Sequence, residues 1–218
     1  MVDWEAVDTV IFDMDGTLLD LHFDNYFWED FVPQTYGKKH GLSKEEASAE
    51  LMSRYEAIKG TLNWYCIDFW SDSLEMNIAQ MKEQVAHKIA LRPNAIEFVR
   101  RLRETHRELM LITNAHPMSL ALKMHTTGID KHFHVTRSSH DFSLAKENHG
   151  FWQSLAQQHP FDPARTLLID DSLSVLRQAQ KEGIAQLLAI AKPDSRRDPL
   201  PFEQFKQIED FEQIMEGL

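Results

Sequence analysis

The chain has 218 residues, of which 43% are hydrophobic and 26% charged, and carries a formal net charge of −11 at pH 7. That length suffices for one sizeable domain with an insertion or for two small ones, and the composition is that of an ordinary globular protein. The acid excess excludes the clustered Lys and Arg of a nucleic-acid surface, so an anionic substrate would need a local cation to reverse the protein's own field.

A single cysteine, Cys66, gives neither an internal disulfide nor a thiolate cluster, which fits a reducing compartment. The start "MVDWEAVD" lacks the basic and apolar regions of a signal peptide, and no apolar stretch approaches the roughly 20 residues that span a bilayer. The expectation is a cytoplasmic protein without a membrane or nucleic-acid partner.

In chain order, the first predicted element is a strand, "VDTVIF" (7–12), which runs directly into "DMDGT". From about residue 20 to residue 90 no strand is predicted and the pattern is helical. Its clearest helix is "SKEEASAELMSRYEAIKG" (43–60), with Ser43 and Glu46 as a capping box and Gly60 as terminator. A βα loop usually has about 2–6 residues, so this interval is expected to form a separate helical unit over the sheet. "PNAIEFVRRLRETH" (93–106) predicts a helix with proline in its first turn and Ile96, Val99 and Leu102 on one face. Strands follow at "ELMLIT" (108–113), "FHVT" (133–136), "TLLID" (166–170) and "AQLLAIA" (185–191), with a helix over 172–183 between Ser172 and Gly183. "KPDSRRDPLPFEQF" (192–205) reads as a surface loop. Short apolar strands without alternation, separated by helices, imply a doubly wound parallel α/β sheet.

In such a sheet all strands point one way, and their carboxyl ends meet at one edge, where ligands bind. The strand ends collect Asp13 with Asp15, Thr113 with Asn114, and Asp170 with Asp171. Carboxylates gathered there repel one another and are costly to bury uncompensated. A hard divalent cation resolves the repulsion, and magnesium with oxygen ligands suits this set better than zinc, because no Cys or His cluster stands beside these acids. The two-residue step from Asp13 to Asp15 lets one carboxylate face the metal and a phosphorus atom while the other reaches a leaving oxygen. Gly16 permits a close turn, Thr113 and Asn114 add neutral donors, and Lys146 in "FSLAKENHGFW" is the candidate cation.

These motifs, in this order, resemble the four motifs of the haloacid dehalogenase-like superfamily of phosphohydrolases, and the helical interval after the first motif is similar to the cap of one of its subfamilies. The resemblance implies a Rossmann-like core of residues 1–19 and 91–218 with a helical cap over 20–90. It implies Asp13 as a nucleophile that becomes an aspartyl-phosphate and Asp15 as general acid and base, its backbone carbonyl on magnesium. Thr113 and Lys146 would hold the phosphate, and Asp171 supported by Asp170 would complete the metal site. The dehalogenase branch lacks an acid two residues after its nucleophile, so Asp15 favours phosphate chemistry. "LLDLHFDNYFW", "GTLNWYCIDFW" and "TNAHPMSLALK" further resemble bacterial purine 5'-nucleotidases acting on GMP and IMP, which implies a purine nucleotide as substrate. Glu147 departs from the pattern, standing where many relatives carry proline.

The cap aromatics Phe23, Tyr26, Phe27, Trp28, Trp64, Tyr65, Phe69 and Trp70 are expected mainly to hold the cap together, with one or two left to contact a base. His22 and Asp24 near the cap hinge, and His116 three residues beyond Thr113, are candidate substrate contacts. A sugar-phosphate phosphatase or phosphomutase would share the same core residues. A phospho-accepting signalling receiver is about half this length and capless; a catalytically silent binding protein would not need Asp13, Asp15 and Lys146 intact.

Overall fold

The computed structural model describes residues 2–202 and 204–218, so Met1 and, within the predicted 192–205 loop, Glu203 lie outside the described residues. Among these residues β1 (Thr9–Phe12), β2 (Glu108–Thr113), β3 (Val135–Ser138), β4 (Thr166–Asp170), β5 (Gln186–Ile190) and β6 (Lys206–Ile208) form one sheet in the order β3-β2-β1-β4-β5-β6. All five pairings are parallel. The register sets Phe12 level with Leu111 on one side and Ile169 on the other, so the chain leaves β1, β2 and β4 at a common height.

The β1-to-β2 connection carries α1 (His22–Tyr26), α2 (Val32–His40), α3 (Lys44–Ile58), α4 (Ile67–Leu74), α5 (Ile78–Gln84) and α6 (Ala95–Arg103). The later crossovers carry α7 (Pro117–Thr127), α8 (Phe151–Gln158) and α9 (Leu173–Lys181) in turn. Alternate strand residues feed two different cores. Val10, Phe12, Leu109 and Leu111 pack with Phe98, Val99 and Leu102 of α6, whereas Ile11, Met110, Ile112 and Leu168 pack with Phe151 of α8 and Leu176 of α9. Burial on both faces is why these strands show no polar alternation.

A third core lies wholly in the β1-to-β2 connection and joins Phe23, Phe27, Tyr36, Leu51, Trp70 and Ile78. The predicted capping box on α3 is present: Glu46 N donates to Ser43 Oγ at 3.2 Å and Ser43 N to Glu46 Oε2 at 2.9 Å. Between α1 and α2 the helix widens to a π turn over Phe27–Phe31, just ahead of Pro33, whose ring cannot donate the next hydrogen bond. The entry and exit of this unit meet side by side, with Leu19 bridging Leu91 and Asp20 N donating to Ala90 O at 2.9 Å.

Three sequence expectations are corrected. The strand predicted at 133–136 starts two residues later: Phe133 packs on Phe12, and Leu109 N donates to the His134 side chain at Nδ1 while His134 N donates to Leu109 O at 2.9 Å. A sixth strand follows the predicted loop; β6 is an edge strand with two exposed polar residues, so no apolar run marks it. Pro93 stands outside α6, which begins after Asn94 in a left-handed conformation, φ 57°. No helix among the described residues is long and apolar enough to cross a membrane.

Candidate active site

Phe12 ends β1 inside the core, and Asp13 N donates to Ile169 O at 3.0 Å, which places Asp13 beside the end of β4. The order 3-2-1-4-5-6 reverses between β1 and β4, the position where a crevice opens in doubly wound sheets. Asp13, Asp170 and Asp171 each bring a carboxylate oxygen to within 4.8 Å of the others. Thr113, at the end of the neighbouring β2, and Asp15 line the same cavity.

Lys146 is the cation that holds this cluster. Its buried ammonium donates to Asp13 Oδ1 at 2.5 Å and to Asp170 Oδ2 at 2.8 Å. Asn114 positions it: Lys146 N donates to Asn114 Oδ1 at 2.9 Å, while Asn114 Nδ2 donates to Glu147 Oε2 at 2.8 Å. The Asn114 side chain, expected as a free neutral donor, is therefore committed to the lysine loop. Tyr65, in the β1-to-β2 connection, donates its hydroxyl to Glu147 Oε1 at 2.8 Å, so Glu147, where proline was the pattern, ties that connection to the loop carrying Lys146.

Burial is the main electrostatic cost at this edge. It pushes the Asp13 carboxyl up to about 6, with Lys146 pulling it back and Asp170 adding to the rise. Asp15 is likewise pushed up to about 6 by burial, against the pull of Lys123. Asp171 stands well above the carboxylate range, from burial and then from the charges of Asp13 and Asp170. Lys146 is held above its ordinary value because Asp13 and Asp170 outweigh its burial.

The donor set fits a hard divalent cation. Asp13 Oδ2 is buried without a hydrogen-bond partner, and Asp171 makes no hydrogen bond or ion pair among the described residues. Both oxygens of Asp170 are engaged, one by Lys146 and the other by Ser172 N at 2.8 Å. The oxygens left over thus belong to Asp13 and Asp171, on either side of the turn at Gly16.

That turn needs glycine. Gly16 has φ +87°, its N donates to Leu19 O at 2.8 Å, and a Cβ there would lie 2.2 Å from Asp171 Oδ2. Gly16→Ala is expected to cost about 1–3 kcal/mol of stability through strain in a left-handed conformation and the displaced carboxylate, read by chemical denaturation. An unchanged denaturation midpoint would contradict this close approach.

Two lysines not singled out from the sequence complete the site. Lys123 of α7 is buried and donates to Asp15 Oδ1 at 2.6 Å and to Asp24 Oδ2 at 2.7 Å. Lys82 of α5 donates to Asp24 Oδ1 at 2.9 Å, with its ammonium 4.6 Å from the centre of the Phe27 ring. Burial alone would raise the Asp24 carboxyl, but Lys123 and Lys82 overcome it and hold the group at about 2. Asp24, a candidate substrate contact, lines the cavity with both oxygens already paired. Each lysine sits on an apolar helix face, Lys82 between Ile78, Met81 and Val85 and Lys123 beside Leu120 and Met124, and that placement is the one sequence signal that could have found them.

The cavity above the carboxylates has a volume of about 530 Å³, within the range of small-molecule sites. Trp28, Tyr55, Trp64, Tyr65 and Trp70 form its aromatic wall, and His116 stands at its edge. Trp28, Tyr55, Trp64 and Trp70 also pack edge-on against one another, with Tyr55 and Trp70 5.0 Å apart. Phe23 and Phe27 are buried in the cap core as expected. His22 is not part of the wall; its Nδ1 faces Asp194 at 3.7 Å, so the structure places this candidate apart from the cavity.

Comparison with known proteins agrees with this architecture. The family model described as haloacid dehalogenase-like hydrolase matches residues 7–183. Over 217 residues, the chain is 38% identical to the GMP/IMP nucleotidase YrfG of Escherichia coli, an alignment covering 100% of this chain and 98% of that protein. The protein of the same name from Shigella flexneri aligns to the same extent. Among solved structures, a HAD phosphatase from Thermococcus onnurineus superposes with a TM-score of 0.78 at 22% identity, covering 94% of each chain. A magnesium-bound Bacillus subtilis protein, YfnB, superposes with a TM-score of 0.63 at 16% identity, covering 95% of this chain and 96% of that one. At these identities the structural likenesses speak for the fold.

Proposed function

Since the chain belongs to the haloacid dehalogenase-like hydrolase family, we propose that it is a magnesium-dependent phosphatase that removes the 5'-phosphate from purine nucleoside monophosphates, GMP and IMP. The carrying observation is a buried nucleophile-type carboxylate, Asp13, paired with Lys146 and opening onto a cavity walled by cap aromatics. The full-length likeness to proteins named GMP/IMP nucleotidases supports the choice of substrate. We divide the chain into a core of residues 1–19 and 91–218 and a cap of residues 20–90, a division supported by the separate cap core and by the Leu19–Leu91 bridge at its base.

In the proposed reaction an Asp13 carboxylate oxygen attacks phosphorus, and the bond from phosphorus to the ribose 5'-oxygen breaks. Asp15 gives its proton to that departing oxygen. Asp15 then takes a proton from water, whose oxygen attacks phosphorus, restoring the Asp13 carboxylate and freeing inorganic phosphate. Lys146 balances charge on Asp13 and the transferring group, and the Thr113 hydroxyl adds a neutral contact to it. The Asp13 carboxylate, the Asp15 backbone carbonyl and Asp171 would hold magnesium, which when bound would supply further charge neutralisation at the phosphate oxygens. Asp170 supports the site by fixing Lys146. Trp28, Trp64 and Tyr65 offer aromatic surface for a purine, and cap closure keeps bulk water from the aspartyl-phosphate.

Phosphate release measured in magnesium across GMP, IMP, AMP, pyrimidine monophosphates and sugar phosphates tests this reading. The expected result is kcat/KM for GMP and IMP at least about tenfold above the rest, which corresponds to about 1.4 kcal/mol of selective binding by the cap. Preference for a sugar phosphate would overturn the nucleotidase assignment while leaving the core chemistry in place.

A further inference from the structure

A second cluster of ligating side chains lies at the seam between cap and core, built from three separate elements. Cys66 caps the N-terminus of α4 in the cap, His116 caps α7 after β2, and His140 lies in the 3-10 turn Ser139–Phe142 after β3. Each brings one ligand atom to within 4.8 Å of the other two. The imidazoles of His116 and His140 stand edge to face, with ring centres 5.0 Å apart and planes at 81°.

We propose that Cys66, His116 and His140 form a binding site for a borderline divalent transition metal, zinc above all, that bridges cap and core and is distinct from the carboxylate site.

The chemistry of the set is what such an ion selects. One thiolate and two imidazoles suit zinc, which takes tetrahedral N and S ligands, whereas magnesium demands oxygen. In a tetrahedral zinc site the ligand atoms stand roughly 3.5 Å apart, so a spread of at most 4.8 Å closes by small side-chain rotations. A second observation points to a ligand independently of the clustering. His140 Nε2 is buried and has no hydrogen-bond partner. Burial, opposed at His116 by Asp68, holds both imidazoles below their ordinary value and so in the neutral form that binds metal. Asp68 Oδ2, 3.6 Å from His116 Nε2, is the oxygen at hand for a fourth position. Because Cys66 belongs to the cap and both histidines to the core, an ion held here pins the two together.

Cobalt(II) is the probe for the test, added to the full-length protein with magnesium in excess to occupy the carboxylates. The expected result is a thiolate-to-cobalt charge-transfer absorption that saturates at one equivalent and is displaced by zinc. Cys66→Ser, whose hydroxyl can still accept from Phe69 N, should lose that absorption with an unchanged circular dichroism spectrum. His140→Asn should weaken zinc binding more than about tenfold, the scale on which ligand-shell changes act. No thiolate band in the parent protein would overturn the site, as would zinc binding that survives both substitutions but is lost in Asp171→Asn.

Discussion

Asp13→Asn is expected to lower phosphate release from GMP by on the order of 10⁴-fold or more while leaving the melting temperature within a few degrees of the parent. The two halves of this expectation come from the same geometry. Asp13 is the acid that begins the proposed displacement, and the amide nitrogen and oxygen of asparagine are poor nucleophiles. Its charge, however, is costly where it sits, since burial pushes the carboxyl up to about 6. Removing that charge leaves Lys146 paired with Asp170 at 2.8 Å, so no buried ammonium is abandoned. Activity measured by phosphate release and stability measured by thermal melting should therefore separate. A variant that melts far below the parent, or retains more than a few per cent of the activity, would contradict this account of Asp13.

Lys123→Met is expected to be the most damaging substitution to stability, at about 3–5 kcal/mol, because it leaves buried carboxylates without their shared cation. Lys123 bridges Asp15 in the core and Asp24 in the cap with its side chain 1% exposed. Asp24 keeps Lys82, but Asp15 Oδ1 loses its partner altogether. Asp15 would also lose its fixed orientation, and kcat should drop by on the order of 10² as general acid and base catalysis is impaired. Acid unfolding gives a separate signature. In the parent, Asp24 is held at about 2, below its ordinary 3.8, so its stabilisation is complete above the ordinary value and is lost as pH falls through about 2. Without Lys123 that depression shrinks, and acid unfolding should begin at higher pH. Lys123→Met combined with Asp15→Asn should recover part of the stability, because the carboxylate left without a partner is gone while Asp24 stays paired with Lys82. Urea denaturation of the three variants side by side checks the sequence of effects; equal stability of parent and Lys123→Met would contradict it.

What the sequence makes legible follows from where each signal is written. β1, β2, β4 and β5 announce themselves because both of their faces are largely buried, so their central positions are apolar and polar residues stand only at their ends. β3 and β6 lie at the two edges, where partial exposure permits polar residues and the ladder is carried by the backbone. Asp13, Thr113, Lys146, Asp170 and Asp171 could be gathered in advance because parallel strands bring their carboxyl ends together whatever lies between them. The structure does bring them around one cavity, with Lys146 bonded to two of the acids. Lys82 and Lys123 were not legible in this way. Their meeting at Asp24 depends on how α1 and α5 of the cap sit on α7 of the core, and no local spacing records that docking. The Cys66, His116 and His140 cluster stayed hidden for the same reason, since its members come from three elements of two units. His22, beside Asp24 in sequence, turns instead toward Asp194, a reminder that neighbouring loop residues face different ways.

In the proposed reaction Asp13 is transiently phosphorylated by a purine nucleoside monophosphate. The most direct test is to mix the full-length protein with GMP in magnesium, quench within the first turnover, reduce any acyl-phosphate with borohydride and locate the modified residue by peptide mass spectrometry. The expected result is conversion of Asp13 to homoserine, dependent on GMP and absent in Asp13→Asn. Phosphate release that proceeds with Asp13 unmodified, or modification of a different residue, would contradict it.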